Sequence, residues 1–382
     1  MTPMVKQRDS KKRTTMPSPN EMLWAMEPHT KAKHVILKHY LEAWFPILSS
    51  AHGRVIYFDG FAGPGRYQGG EEGSPLIALN VAASHKARLR SEILFYFVEN
   101  QKDRAARLET EISSLTLPKN FKWALENAEF EAVLRAALDK LDSAGLELAP
   151  TFAFIDPFGV KGLPFDLIGR LLSRQSCEVF ITFMNVTIQR FVTELPQHIN
   201  ALIGDASAAE QIQKCKSAED RALLARTLYA RSLSAVAKYV RFFEMRDTDN
   251  RPIYDLFFAS NHSLGHYRMK EAMWKANESG EYSFSDGIDP GQAVLFKPDP
   301  ANDLALALWS QHRGKNAYCE DILEYTRDHT AYLEKHARAA LKILESHNGL
   351  EGKRISVAVA KRSGGVRRKG TFPDGTLITF ME

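Results

Sequence analysis

Short apolar runs alternate with helical stretches over most of the chain, and this alternation limits the fold more than any other sequence feature. Seven runs are rich in β-forming residues: Val55–Phe58, Ile93–Val98, Phe121–Leu125, Thr151–Ile155, Glu178–Phe183, Val240–Met245 and Tyr254–Ala259. Continuously apolar strands with helices between them predict a parallel sheet that is covered on both faces. The last two runs are joined by the turn-rich segment 246–252, which favours an antiparallel hairpin. We therefore predict an α/β fold, with a Rossmann-like sheet of five parallel strands plus a C-terminal hairpin.

The segments around this sheet define the predicted domain organisation. Residues 1–20 are rich in Lys, Arg, Ser, Thr and Pro and predict a disordered basic arm, either a solvated tail or a nucleic-acid contact. The sheet belongs to a predicted domain over 21–290, which begins with a helix from His29 and carries a helical insertion at about 186–238. A Gly- and Pro-rich break at 286–303 precedes a predicted C-terminal domain over 300–382.

The C-terminal domain has the element order of a winged helix. Three helical segments are predicted, and two β-like runs follow them: about 303–312, 317–328 and 331–347, then Ile355–Ala360 and Thr376–Phe380. The two runs enclose a loop rich in glycine and arginine. In such a domain the last helix can enter a groove of nucleic acid while the loop contacts phosphates.

The formal charge of the chain is unevenly distributed. The sum is +4, but residues 1–13 hold five basic side chains against one acidic, and residues 335–370 hold ten against two. The remainder therefore carries a net charge of −8. A charge run is often only a solvated face, but a basic end on an acidic body favours nucleic acid, DNA or RNA, as a partner. The residues expected to contact it are Arg338, Lys342, Lys361, Arg362, Arg367, Arg368 and Lys369.

Composition and cysteine usage exclude several classes of protein. With 44% hydrophobic and 25% charged residues, the chain is neither collagen-like nor wholly disordered. No apolar stretch reaches the roughly 20 residues that span a bilayer, and no hydrophobic run follows the basic N-terminus as it would in a secretory signal. The sparse cysteines Cys177, Cys215 and Cys319 predict core positions, a reducing cytoplasmic compartment and no metal site.

We interpret the residues after the last predicted strand of the sheet as structural and not as catalytic. His262 and His266 are interpreted as part of a loop with helix-capping residues, with a zinc pair as the less favoured alternative. Lys270, Met273 and Trp274 on the following helix are interpreted as packing and surface positions.

The first strand ends in Asp59 and a glycine-rich turn that contains Gly60, Phe61, Ala62, Gly63 and Gly65. Glycines let the backbone bend sharply and approach a ligand closely. No Gly-Lys-Ser/Thr follows, as a phosphate loop would require. A carboxylate at the strand end would repel a pyrophosphate, whereas the amino group and sulfonium of S-adenosylmethionine fit it. The alternative is a structural turn with Asp59 as a cap.

The turn is long, and it is expected to close on Ser74 as a helix cap and Pro75 as the first helical residue. Polar residues end the next strands as well. Glu99 could chelate ribose hydroxyls or cap a helix, and Asn127 could read an adenine edge or be a turn residue. Because parallel strands present their carboxyl ends at one edge of a sheet, these residues and Asp156 should converge on one crevice.

Several of these segments resemble a known family. Tyr57-Phe-Asp-Gly-Phe-Ala-Gly-Pro-Gly-Arg-Tyr67, Gly73-Ser-Pro-Leu76, Phe154-Ile-Asp-Pro-Phe-Gly159 and Pro28-His-Thr-Lys-Ala-Lys-His34 are similar to the three-Cys-motif partner proteins of bacteria and phages. The front half is also similar in layout to bacterial ribosomal-RNA adenine-N6 methyltransferases. The resemblance implies a class I methyltransferase fold and association with a separate radical-enzyme-like protein that carries three cysteines. It also implies that Asp59, Gly63, Gly65, Glu99 and Asn127 contact S-adenosylmethionine, with Lys33 and His34 near them.

The segment after the fourth strand resembles a catalytic motif with one residue missing. Adenine-N6 methyltransferases use (Asp/Asn)-Pro-Pro-(Tyr/Phe), in which the acid or amide and a carbonyl accept hydrogen bonds from the target amine and the ring stacks on a flipped base. Here Asp156, Pro157 and Phe158 keep the acid, one proline and the ring. Three interpretations stay open: amine methylation with altered geometry, methylation of another atom, and a fold retained for binding without transfer.

Two functions follow from these features. The first is an S-adenosylmethionine-dependent nucleic-acid methyltransferase that acts on a base amine, with Asp156 as acceptor and Phe158 as stacking platform. The second is a non-catalytic nucleic-acid-binding adaptor that recruits the three-cysteine partner in repair or mobile-element defence. The four polar strand ends favour the first function, and the missing proline favours the second.

Overall fold

A computed structural model of the chain describes residues 22–157, 159, 162–276, 283–285, 299–358 and 364–382. The helices are α1 (Pro28–Ala51), α2 (Ser74–Ala83), α3 (Lys102–Ser113), α4 (Phe130–Ala144), α5 (Phe165–Leu172), α6 (Asn185–Phe191), α7 (Pro196–Ile203), α8 (Ala208–Gln213), α9 (Ala218–Val236), α10 (Ser263–Ala276), α11 (Pro300–His312), α12 (Cys319–His329) and α13 (Glu334–Glu345). The strands are β1 (Arg54–Asp59), β2 (Glu92–Val98), β3 (Phe121–Glu126), β4 (Thr151–Ile155), β5 (Cys177–Phe183), β6 (Tyr239–Arg246), β7 (Pro252–Ser260), β8 (Ser283–Ser285), β9 (Asn316–Tyr318), β10 (Ile355–Val357) and β11 (Leu377–Phe380).

The large sheet has the strand order β3-β2-β1-β4-β5-β7-β6-β8. Strands β1 to β5 are parallel, whereas β7 runs antiparallel to both β5 and β6. The predicted Rossmann-like sheet with a C-terminal hairpin is confirmed, and the seventh strand lies reversed between the fifth and the sixth. The short strand β8 beside β6 was not predicted, since its three residues are too few to form a pattern.

Two apolar cores cover the two faces of the sheet. Alternate residues of a strand point to opposite faces, so Tyr57 packs in one core and its neighbour Phe58 in the other. The first core contains α1, α2, α3 and α10, and the second contains α4, α5 and the helices α6 to α9. The predicted helical insertion at 186–238 is therefore part of the cover of one face.

Helix α1 precedes the sheet in sequence and lies against it through a fully apolar stripe. The stripe repeats at intervals of three and four residues: Ile36, Leu37, Tyr40, Leu41 and Trp44 are all buried. Its first turns carry Lys33 and His34, which are buried as well. Helix α1 also packs against α10, which contacts β6 and β7, the hairpin strands of the sheet.

The C-terminal residues have their own core and their own small sheet. Strands β10, β11 and β9 pair antiparallel in that order, and α11, α12 and α13 pack on them through residues such as Leu308, Ile322 and Leu341. The prediction that 317 and 318 begin a helix was wrong, because they lie in β9. Helix α11 begins at Pro300, inside the predicted break, and 286–298 lie outside the described residues. The winged-helix assignment and the domain boundaries stay predictions.

The structure corrects some of the assignments made from sequence and agrees with others. Lys270 is not a surface residue, since its side chain is completely buried, whereas Met273 does pack in the core. His266 lies in the first turns of α10 and not in a loop. All three cysteines are free; Cys177 and Cys319 are buried, and Cys215 is half-buried. Among the described residues, no helix has the length and apolar character needed to cross a membrane.

Candidate active site

The turn after β1 bends sharply at the edge where the parallel strands end. Gly63 and Gly65 have φ angles of 65° and 85°, which side chains with a Cβ rarely adopt. Gly60 lies against the ring of Phe130, where an added Cβ would be only 2.4 Å from Cδ2. The turn closes through a hydrogen bond of 2.7 Å from the Gly73 N–H to the Gly65 carbonyl. Backbone conformation and packing therefore favour glycine at these positions independently of any ligand.

Asp59 lies beneath this turn, completely buried. Its carboxylate accepts hydrogen bonds from the Tyr57 hydroxyl (3.2 Å), the Phe61 N–H (3.3 Å) and the side chain of Ser74. Burial nevertheless raises the pKa of Asp59 to about 7. Ser74 is not the helix cap that was predicted: Gly73 takes the cap position, and Ser74 begins α2 and turns its side chain to Asp59.

Glu99, at the end of β2, connects the glycine turn to the next helix. One carboxylate oxygen accepts the Gly63 N–H at 2.9 Å, and the other accepts the Gln101 N–H at 2.8 Å. Burial raises the pKa of Glu99, while these backbone hydrogen bonds and the nearby Arg104 act in the opposite direction. Asn127 is exposed and donates its amide N–H to the Glu99 carbonyl oxygen at 2.8 Å. It therefore braces the backbone of Glu99.

A cavity of about 500 Å³ lies in front of Glu99, at the carboxyl ends of the parallel strands. Its apolar wall includes the rings of Phe61 and Phe130, which stack with centroids 5.2 Å apart, and Pro157. The insertion closes the opposite side through Thr187, Phe191 and Leu195. Asn127 does not line this cavity; the neighbouring Ala128 and Glu129 do.

A second, small cavity of about 30 Å³ lies on the other side of the glycine turn. Its lining comes from the segment before α1, from α1, the turn, the start of α2 and the residue after β4: Trp24, His34, Phe61, Ala62, Gly63, Pro64, Gly65, Arg66, Tyr67, Gly73, Ser74 and Asp156. Phe61 lines both cavities. The turn therefore divides a roomy, largely apolar space beside Glu99 from a narrow polar space beside Asp156.

His34 contributes an unpaired polar atom to the small cavity. The ring is buried and its Nδ1 has no hydrogen-bond partner among the described residues. Burial, assisted by the charge of Lys33, lowers the pKa of His34 to about 3, so the imidazole is neutral at pH 7. The ring lies 5.5 Å from that of Tyr67, centroid to centroid. A neutral imidazole nitrogen of this kind can bind a polar ligand group.

Lys33 reaches the end of β4 and pairs with Asp156. Its Nζ lies 2.5 Å from Oδ2 of Asp156, and the lysine side chain is only 6% exposed against 23% for the aspartate. The ammonium group also lies 5.3 Å from the ring centroid of Tyr254. The structure thus brings Lys33, His34 and Asp156 together, as expected, and adds a direct ion pair that sequence reasoning did not foresee. Phe158, the expected stacking platform, lies outside the described residues.

Sequence analysis did not assign a role to three residues near the site, Trp24, Tyr67 and Arg104. Trp24 lies edge-on to Tyr67 at 5.9 Å and accepts at its carbonyl the N–H of Gln68. The guanidinium of Arg104 lies over the Trp24 ring at 4.9 Å from its centroid. An aromatic residue in the short extended segment before α1 was the available signal, since exposed segments seldom carry tryptophan.

The predicted nucleic-acid contacts divide into exposed and internal residues. Lys342, Arg368 and Lys369 are exposed. Arg338 is exposed as well, although it also donates to the Phe372 carbonyl. Arg367, by contrast, is only 5% exposed in its side chain and pairs with Glu345. Arg367 is therefore a structural residue that holds the loop, which corrects its assignment as a phosphate contact. Lys361 and Arg362 lie outside the described residues.

No set of three or more His, Cys, Asp or Glu side chains among the described residues is arranged to hold a metal ion. His266, one half of the conceivable zinc pair, instead accepts a hydrogen bond of 3.0 Å from Arg241 at Nε2 and stacks on Tyr239. Burial lowers the pKa of His266 to about 3. This histidine is neutral and packed.

No protein-family model matches the chain, and no curated protein matches it in sequence. Solved structures are similar only in part. A Legionella pneumophila protein has 12% identity and a TM-score of 0.38, covering 62% of this chain and 86% of its own. A Bacillus cereus O-methyltransferase in complex with SAH has 9% identity and a TM-score of 0.33, with coverages of 61% and 90%. A Brevibacillus brevis O-methyltransferase in complex with S-adenosyl-L-homocysteine has 14% identity and a TM-score of 0.27, with coverages of 70% and 89%.

Similarities this weak do not identify a reaction, so the function is inferred below from the residues of the site. Membership of the three-Cys-motif partner family likewise stays a prediction.

Proposed function

We propose that this protein is an S-adenosylmethionine-dependent methyltransferase that acts on an amine of a nucleic-acid base. The main observation in support is that the glycine turn divides the crevice at the carboxyl ends of the strands into two cavities. Phe61 lines both a cavity of about 500 Å³ beside Glu99 and a narrow one beside Asp156. Such a division suits a ligand with an apolar, ribose-bearing end and a polar amino-acid end.

The residues of the crevice fit this cofactor. The Phe61–Phe130 pair and Pro157 offer an apolar wall to an adenine, and Glu99 retains lone pairs for ribose hydroxyls although each oxygen already accepts one N–H. His34, whose Nδ1 has no hydrogen-bond partner among the described residues, lines the narrow end. Asp59 lines neither cavity, so its role is to hold the turn through its hydrogen bonds to the Tyr57 hydroxyl and the Phe61 N–H.

When bound, S-adenosylmethionine supplies an electrophilic methyl group. The chain's part in transfer is to make the target nitrogen a better nucleophile. Asp156, partly exposed at the end of β4, accepts an N–H of the amine and removes positive charge from the nitrogen as it loses a proton. Lys33 orients that carboxylate through the ion pair, since its own side chain is fixed by burial in α1.

Nucleic acid is proposed as the substrate because exposed cations cluster on the C-terminal unit. Lys342 on α13 and the pair Arg368 and Lys369 on the adjacent loop carry no ion pair among the described contacts and are exposed. Such residues bind phosphates with strong salt dependence and little sequence preference.

Calorimetric titration with S-adenosylmethionine, followed by transfer of labelled methyl to total RNA and total DNA, tests the proposal. We expect binding with saturable stoichiometry and label in one of the two polymers. Absence of cofactor binding would exclude methyl transfer.

A second function is favoured by the Lys33–Asp156 ion pair itself. Because the ammonium already fills one face of the carboxylate that should accept the target amine, the site is also compatible with binding without transfer. The protein would then be a nucleic-acid adaptor for a separate partner, such as the three-cysteine protein implied by the resemblance. Cofactor binding without label in either polymer would favour this function.

A further inference from the structure

Lys270 is a buried cation surrounded by carbonyl oxygens. Its side chain is completely inaccessible, and its Nζ lies 2.9 Å from the carbonyl of Thr326, 2.8 Å from that of Arg327, 3.2 Å from that of Thr330 and 2.6 Å from that of Tyr332. Burying an ammonium group is costly unless its N–H groups are all satisfied. Here the acceptors outnumber the three N–H groups that the ammonium can donate.

The carbonyls belong to the end of α12 and to the turn that follows it. The last four carbonyls of a helix have no partner within the helix, and the helix dipole favours a cation there. Lys270 supplies both the N–H donors and the positive charge. It does so from outside the C-terminal unit, because it belongs to α10, which packs on the large sheet. Burial and the charge of Arg241 lower the pKa of Lys270 to about 6, while Asp328 and Glu334 act in the opposite direction. Four carbonyl oxygens around Nζ nevertheless favour the ammonium, which donates three N–H groups where a neutral amine donates two.

Two neighbours reinforce this junction. The indole N–H of Trp274, one turn along α10, donates to the Ala331 carbonyl at 2.7 Å, and its ring lies 4.6 Å from that of His336 in the first turn of α13. Arg241 of β6 donates to the Thr330 carbonyl at 3.2 Å. The segment that joins α12 to α13 is thus held by three side chains of the main body.

Helix α10 leads from this junction toward the candidate active site. Met269 and Met273 of α10 pack in the same core as Ile36 and Tyr40 of α1, and α1 carries Lys33. On the other side, α13 carries His336 and, further along, the exposed Lys342. Packed helices therefore connect the exposed cations of α13 to the Lys33–Asp156 pair without a gap.

We propose that Lys270 acts as an internal cation that fixes the C-terminal unit on α10 and so determines which base of a bound nucleic acid reaches Asp156. The fixed junction is inferred from contacts alone. The choice of base rests on the proposed function. A rigid junction sets one separation between phosphates held by α13 and the acceptor carboxylate. Methylation should then fall at one position relative to the bound region, and free nucleosides should be poor substrates because they cannot reach both units.

The first test measures the junction itself, in the full chain and without substrate. Hydrogen exchange is compared for wild type, Lys270→Met and Lys275→Met; Lys275 lies on the same helix but is exposed, so it provides a matched control. We expect amides of α12 and α13 to exchange at least tenfold faster in Lys270→Met while β1 to β5 keep their protection, and no change in Lys275→Met. Exchange of α12 and α13 equal to wild type in Lys270→Met would overturn the proposal.

A rescue experiment covers the case in which Lys270→Met does not fold. Lys270→Ala removes a propylammonium group, so added propylammonium chloride should restore slow exchange in α12 and α13, whereas tetramethylammonium, which has no N–H, should not. Equal effects of the two salts would contradict the assignment of Lys270 as a hydrogen-bonding cation. Trp274→Phe, which removes one N–H and keeps a ring, should show a weaker form of the same loosening.

The second test maps methyl groups on one oligonucleotide hairpin that carries several target bases. Wild type should methylate one position, and Lys270→Met should methylate several positions or none while its affinities for the hairpin and for S-adenosylmethionine stay within twofold. A loosened junction with an unchanged single position would overturn the role of spacing. If wild type transfers no methyl at all, the spacing role falls together with the proposed function, and the exchange data still decide the junction.

Discussion

The ammonium nitrogen of Lys33 lies 2.5 Å from Oδ2 of Asp156, across 123 residues of sequence. Helix α1 thus supplies the counter-ion for the carboxylate at the end of the fourth strand. Under the proposed function, a substrate amine that donates to Asp156 shares this carboxylate with Lys33, and Lys33 then forms part of the acceptor geometry.

Replacing Asp156 by Ala should remove methyl transfer and keep cofactor binding, because the variant has no side-chain acceptor for the target amine. Assistance of this kind is worth roughly 10²–10⁴ in rate. Labelled-methyl transfer and calorimetry measure the two quantities. Asp166→Ala is the matched control, since Asp166 is an exposed residue of α5 and should retain full activity. Full transfer by Asp156→Ala would disprove the assignment.

Replacing Glu99 by Gln should weaken S-adenosylmethionine binding by roughly 10- to 100-fold, because hydrogen bonds to a charged group contribute about 1.5–3 kcal/mol. The amide presents an NH₂ to one of the two N–H groups that the carboxylate now accepts, from Gly63 and Gln101. Glu109→Gln changes an exposed residue of α3 outside this cavity and should bind the cofactor as wild type does. Calorimetric affinities that are equal for both variants would contradict the role of Glu99.

The stability of the protein should fall as pH rises from about 4 to about 7, through Asp59. The pKa of Asp59 is raised from 3.8 to about 7 in the folded protein, so the folded state holds a proton that the unfolded state has lost in this interval. Above pH 7 the carboxylate is ionised in both states, and the contribution is lost. Urea denaturation of wild type and Asp59→Asn at pH 5 and pH 8 measures it. The difference in stability between the two proteins should change with pH; a constant difference would refute the shift.

Replacing Gly60 by Ala should destabilise the fold by about 1–3 kcal/mol, because a Cβ placed 2.4 Å from the Phe130 ring overpacks the turn. The ring would also be pushed toward the large cavity that it lines, so cofactor affinity should fall as well. Gly53→Ala is the control, since nothing lies within 4 Å of its added Cβ. Equilibrium urea denaturation gives both free energies of unfolding, and equal values would show that the contact relaxes freely.

Substitutions of the basic C-terminal residues should have two different effects, one on nucleic-acid affinity and one on stability. Replacing Arg368 and Lys369 by Ala should lower nucleic-acid affinity and reduce the salt slope by roughly 2, because each phosphate contact contributes about 0.9. Arg367→Ala breaks a nearly buried pair with Glu345 and should instead lower the thermal stability of the C-terminal unit. Gel-shift titrations in a salt series and calorimetric melting distinguish the two effects. A slope that is unchanged in the double variant would remove these residues from the interface.

The strand pattern was readable from sequence because buried parallel strands are continuous apolar runs. The prediction of β4, Thr151–Ile155, agrees with the structure at both ends, and the other six strands of the predicted seven differ by one or two residues at an end. Strand β9 was missed because its three residues have no pattern of their own and are held only by pairing with β11. Local sequence carries little information about such pairing.

Side-chain partners were the part that sequence could not supply. Lys270 and Lys275 are the same residue type on one helix, yet one is completely buried and the other exposed, because only Lys270 meets the carbonyls at the end of α12. Similarly, Arg367 and Arg368 are adjacent, but only Arg367 finds Glu345. Charge counting located the basic region correctly and could not divide it into structural and exposed residues.

The contact between Tyr254 and the first turn of α1 has a kinetic consequence. The Tyr254 hydroxyl donates to the His29 carbonyl at 3.4 Å across 225 residues, and the same ring lies beneath the Lys33 ammonium. Contacts of such high sequence separation form late, because the closing of a long loop must precede them. During synthesis, α1 leaves the ribosome long before β7 exists, so the acceptor site is expected to be absent from every nascent chain shorter than about 260 residues. An unfinished chain would therefore lack the Tyr254 contacts that complete the surroundings of Lys33.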